Sequence, residues 1–115
     1  RIQELETVNS KIVLMMHELS LQFKAVLSQR ELYLCIHQVK SGTVYIRWRR
    51  RGVNGNQPYL VMSSKAGADF LKRQTKHVRA LYEEFNLKTL QLNLAYSLHL
   101  FEAKRIGRFL EELNY

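Results

Sequence analysis

With 115 residues, 46% of them apolar, the chain is sized for one compact domain (1–115) with a genuine core and is too short for two. Charged residues make up 24% while proline and cysteine each occur once, which argues against a disordered low-complexity chain and rules out an internal disulfide framework. The formal net charge of +8 is segregated: residues 40 to 79 hold ten lysines and arginines against one acid, Asp69, so this segment carries +9 and the remainder −1.

Along the chain, Leu5, Val8, Ile12, Met15, Leu19 and Val26 follow a spacing of three and four broken only at Gln22, and Val13, Met16, Phe23 and Leu27 form a second stripe beside it. The pattern predicts a long amphipathic helix over 2–29. At ~1.5 Å per residue it spans about 40 Å and needs another long helix along it. The period then changes to two. In "LYLCIHQV" Leu32, Leu34 and Ile36 alternate with Tyr33, Cys35 and His37, and in "TVYIRWRRR" Val44, Ile46 and Trp48 alternate with Tyr45, Arg47, Arg49 and Arg51. Two strands, 31–39 and 43–51, follow. The turn "KSG" closes them as a hairpin with Val39 opposite Thr43, which sets Ile36 against Ile46 and Leu34 against Trp48. A one-residue slip would put Leu34 opposite an arginine and mix apolar with charged side chains on one face, so the pattern selects the pairing.

A short third strand over 58–62 follows the turn-rich "GVNGNQP"; both of its faces are apolar and its sidedness stays open. The next helix, about 65–85, takes Ser63 or Ser64 as N-cap, buries Phe70, Val78, Leu81 and Phe85, and displays Lys72, Lys76 and Arg79 at i, i+4 and i+7. In the last helix, about 87–113, Leu92, Tyr96, Ala103, Ile106, Leu110 and Leu113 keep heptad spacing with His99 in the same seam, and Leu87, Leu90, Leu94, Leu98 and Phe101 occupy another face. Two apolar faces predict burial on two sides, against the first helix and against the sheet or a second subunit, and Gly107 suggests a close helix crossing. The expected class is α+β with element order αβββαα.

Function is read from where the charge lies. Alternate strand residues project from one face about 6.6 Å apart, so Arg47, Arg49 and Arg51 form a row of guanidiniums flanked by Tyr33 and Tyr45, with Arg50 beside it. Arginine gives planar, bidentate contacts to phosphate and stacks on rings and bases, which lysine does poorly. Lys72, Lys76 and Arg79 would add a second basic row. Such a segregated field attracts polyanions. The expected partner is a nucleic acid, DNA ahead of RNA, bound mainly through its phosphate backbone; neutralising roughly five phosphates would give a log–log salt slope near −4.5. A three-stranded sheet followed by a basic helix is similar in outline, over residues 32 to 81, to sheet-first DNA-binding domains such as recombinase arm-binding modules. The competing structural reading has the arginines guarding an edge strand, with Glu31 neutralising Arg51 and Tyr33 sheltering the stem of Arg49. A second functional reading is an assembly subunit: the stripes of the first and last helices form a homodimer or bind a protein, and the basic segment docks an acidic partner.

Catalysis has little to stand on. His17, His37, His77 and His99 are scattered without metal-site spacing, and His99 sits in an apolar seam as a core histidine. His37, across from Tyr45, is placed to touch an anion. Cys35 beside Arg47 offers a thiol but no base or oxyanion site. "GVNGN" lacks the Lys-Ser/Thr of a phosphate-cradling loop. The chain is expected to be no enzyme and to need no cofactor or metal. No apolar run reaches the ~20 residues of a membrane span, and the single cysteine suits the cytoplasm. The start at Arg1 suggests a trimmed or partial chain.

Overall fold

The computed structural model describes residues 1–52 and 58–114, with elements α1 (Ile2–Val26), β1 (Leu32–Gln38), β2 (Val44–Arg50), β3 (Tyr59–Leu60), α2 (Lys65–Lys72) and α3 (Lys76–Leu113). The class is α+β in the order αβββαα, and the three strands form one antiparallel sheet, β1-β2-β3. The hairpin has the expected register: Tyr33 lies against Arg49, Leu34 against Trp48, Cys35 against Arg47, Ile36 against Ile46 and His37 against Tyr45. At its tip the Val39 N–H donates to the Thr43 carbonyl (3.0 Å) and the Gly42 N–H to the Val39 carbonyl (2.9 Å). Gly42 sits at φ +91°, a conformation that costs little without a Cβ.

β3 is shorter than the expected 58–62. It pairs Leu60 with Trp48 and Tyr59 with Arg49, which settles its sidedness: Tyr59 faces outward and Leu60 inward. The middle of the turn-rich connection, 53–57, lies outside the described residues. Because β3 covers only one end of β2, Ile46 has no strand neighbour on that side among the described residues, and α3 supplies its partner. The Ile46 N–H donates to Asn93 Oδ1 and Asn93 Nδ2 donates to the Ile46 carbonyl, both at 2.9 Å, so one amide side chain occupies both main-chain groups of an edge residue.

The break between the last two helices falls at Arg73–Thr75, not between 85 and 87. Thr75 caps α3 by accepting from the Val78 N–H (3.3 Å), just as Ser64 caps α2 by accepting from the Gly67 N–H (3.1 Å). Nothing between Phe85 and Leu87 stops a helix, and Asn86 turns its side chain to accept from Trp48 Nε1 at 3.0 Å. α3 therefore runs for 38 residues, about 57 Å at ~1.5 Å per residue, and sets the molecule's longest dimension, 58 Å. α2 lies close over the segment before it: a Cβ at Gly67 would overlap the carbonyl oxygens of Val61 and Met62.

α1 and α3 run antiparallel, tied by Arg1 to Glu102 at one end, by the amide of Asn9 to the Tyr96 carbonyl (3.2 Å), and by Phe23 against Phe85 at the other end. The core-facing row of α1 combines the two stripes of the sequence. Leu5, Ile12, Met16, Leu19 and Phe23 are buried with Asn9, whereas Val8, Met15 and Val26 are exposed. Phe23 is the hub of an aromatic cluster, with ring centroids 4.9 Å from Trp48, 5.2 Å from Tyr82 and 5.1 Å from Phe85. Burial raises the Tyr82 phenol above its ordinary pKa, partly offset by hydrogen bonds to the main chain of Leu32 and Glu31.

Two expectations for the last helix need correction. Leu87, Leu90, Leu94, Leu98 and Phe101 are exposed, because the sheet meets α3 along a different, polar line: Asn86, Asn93 and the Tyr96 hydroxyl, which donates to the Gly42 carbonyl at 3.1 Å. Leu110 and Leu113 are exposed as well, since α1 ends opposite Glu102. Gly107 marks no close crossing, for nothing lies within 4 Å of where its Cβ would be. His99 is held as the seam position suggests, with Nδ1 3.1 Å from Asn9 Oδ1.

Candidate nucleic-acid interface

Period-two alternation sends Leu32, Leu34, Val44, Ile46 and Trp48 into the core, so Tyr33, Cys35, His37, Tyr45, Arg47, Arg49 and Tyr59 share the opposite face of the sheet. None of these seven is buried, and His37, Arg47 and Tyr59 are exposed. Tyr59 links the set. Its ring centroid lies 4.7 Å from Cζ of Arg47 and 5.1 Å from Cζ of Arg49, and 6.1 Å from the His37 ring; Arg47 also stands 5.5 Å from the Tyr45 ring. Each exposed cation–π contact of this kind contributes about 0.5–1 kcal/mol, enough to favour holding a guanidinium over a ring. The Arg47 side chain makes no hydrogen bond to a described residue. Ion pairs join Arg1 to Glu4 and Glu102 and Lys88 to Glu84, away from this face.

The other basic residues divide. Arg51 is exposed one step past β2, where its N–H donates to the Glu31 carbonyl (3.2 Å). Beside it opens a cleft of about 540 Å³ lined by Lys24, Arg30, Tyr33, Arg51 and Ser20. The basic surface thus continues around the end of the sheet. Arg50 belongs by alternation with Trp48 on the inward side; it is half-buried and its N–H donates to the Pro58 carbonyl (2.9 Å). Lys72 ends α2 and Lys76 begins α3, both exposed, so the helix break removes their i, i+4 relation. Arg79 is half-buried and turned to protein: Nε donates to the Leu71 carbonyl (3.1 Å) and Nη2 to the Gln74 carbonyl (3.5 Å). There it satisfies carbonyls that the end of α2 leaves open.

Tyr59 is the site residue that sequence reasoning missed. Its signal was the apolar match of Leu60 to Trp48, which orients β3 once the hairpin register is known. Cys35 is half-buried with Sγ 3.8 Å from the Ile36 carbonyl, opposite Arg47 in the register. Among the described residues no cluster of three His, Cys, Asp or Glu side chains could hold a metal, and no described helix is long and apolar enough to cross a membrane. No protein-family model matches the chain, and neither a curated protein nor a solved structure is significantly similar to it. What fold and site define is a class by architecture: an α+β protein with its helices packed on one side of a small sheet and an arginine–tyrosine surface on the other.

Proposed function

We propose that the chain is a non-enzymatic nucleic-acid-binding accessory protein, with DNA as the first polymer to test. In this reading Arg47, Arg49 and Arg51 contact successive phosphates while Tyr45 and Tyr59 offer rings to unstacked bases. The observation that carries the proposal is the sharing of the Tyr59 ring by two guanidiniums on a sheet face that no core residue occupies. Aromatic rings with arginines between them suit a flexible strand, because every base has a π-face and every nucleotide a phosphate. The cleft bounded by Lys24, Arg30 and Arg51 gives the polymer a continuation past the end of the row.

The placement of Arg79 on main-chain carbonyls and of Arg50 on the inward side reduces the number of phosphates expected to be neutralised. With about three, log K falls against log salt with a slope of about −2.7 on duplex DNA and about −2.1 on a single strand. Fluorescence anisotropy with matched single- and double-stranded DNA and RNA probes at several salt concentrations measures this directly. Reversing Arg47 and Arg49 to glutamate together is expected to abolish binding, while Lys72→Glu has a weaker effect. Undiminished affinity in the double variant refutes the assignment.

A further inference from the structure

The outward leucines of α3 are used neither by the core nor by the arginine face. Leu87, Leu90, Leu94, Leu98 and Phe101 are each 56% to 64% exposed. At about 100° per residue they fall within an arc of about 80°, forming one strip about 21 Å long. A monomeric surface usually scatters such side chains singly. Glu83 and Arg105 continue the same line at its two ends, and neither enters an ion pair among the described residues.

Outward from Leu94, the side chains match in pairs. Leu90 and Leu98 stand four residues away, Leu87 and Phe101 seven, Glu83 and Arg105 eleven. A two-fold axis through Leu94 therefore lays apolar on apolar and acid on base, the self-complementarity that an isologous interface requires. A parallel pairing in register would instead set Glu83 on Glu83 and Arg105 on Arg105, which like-charge repulsion opposes. An unrelated protein partner would need no such symmetry.

We infer that the chain self-associates as an antiparallel two-fold dimer through this face of α3, with Leu94 at the axis and Glu83 of each copy against Arg105 of the partner subunit. The side chains involved are exposed in the single chain, so substitutions there leave the fold intact and circular dichroism verifies it. Sedimentation equilibrium of the whole chain without nucleic acid, from low to high micromolar concentration, reads the association independently of the arginine face. A concentration-dependent dimer is expected. Leu94→Glu, which places two like charges at the axis, makes the chain monomeric, while Leu14→Glu on the outer side of α1 leaves the dimer unchanged. Glu83→Arg and Arg105→Glu each weaken association at least about ten-fold, and the two together restore it. In a Cys35→Ser background, Leu94→Cys forms an inter-chain disulfide on mild oxidation and Leu87→Cys does not. A monomer at every concentration, a dimer that survives Leu94→Glu, or a charge exchange that fails to restore association overturns the inference.

Discussion

The Tyr59 ring lies within 5.1 Å of both Arg47 and Arg49, so two like charges are drawn to one aromatic face instead of spreading into solvent. Preorganised guanidiniums lose less side-chain entropy on meeting a phosphate than free ones do. If the ring also stacks on a base, Tyr59→Ala lowers single-strand affinity by about 1–3 kcal/mol, whereas Tyr59→Phe keeps most of it. Anisotropy titrations of the two variants beside the parent chain test this. Folding stability should barely change, because Tyr59 is 38% exposed and its strand pairs through the main chain.

Among the elements, the hairpin was the most legible in the sequence and the long helix the least. Period-two alternation from Leu32 to Arg51 carries its own register, since any slip mixes the faces, and the structure has that register at all seven paired positions of β1. The end of one helix and the start of the next were not legible, because the true break holds no Gly or Pro and depends on Thr75 as a cap and on Arg79 reaching back to Leu71 and Gln74. Nor could heptad counting show which stripe of α3 is covered. The line that meets the sheet includes Asn86 and Asn93, polar residues that an apolar search passes over, beside Tyr82 and Tyr96. For the same reason the arginine row was readable and its aromatic support from a two-residue strand was not. Asn93→Leu tests the importance of the polar line: it leaves the N–H and the carbonyl of Ile46 without their partner, and urea denaturation should show a loss of about 2–4 kcal/mol.

At the scale of the molecule, the fold is organised around one long helix with α1 and the hairpin laid along it and an aromatic cluster where they meet. Tyr82 lies within that cluster, 1% exposed, with its folded-state pKa raised above the ordinary 10.0. A raised pKa means that the folded state holds the phenolic proton more firmly than the unfolded chain does. The associated stability is complete below pH 10 and is lost as pH climbs through the folded-state value. Denaturation monitored along an alkaline titration should therefore show the parent chain weakening above pH 10. Tyr82→Phe, about 1 kcal/mol less stable at neutral pH for want of the hydroxyl's hydrogen bonds, should lack that step, so the gap between the two narrows. If α3 also pairs two copies, each dimer carries two arginine faces, and a polymer long enough to reach both is held more tightly through linked contacts.

The side-chain plugs on the sheet margins limit what can dock there. Asn93 occupies Ile46 on one border, and the Ser20 hydroxyl donates to the Leu34 carbonyl at 3.0 Å on the other. An extended peptide arriving at either margin finds key main-chain groups already engaged, so lengthening the ladder by a foreign segment is disfavoured. Visitors are left with the broad surface, where discrimination rests on tyrosine, histidine and arginine rather than on the peptide backbone.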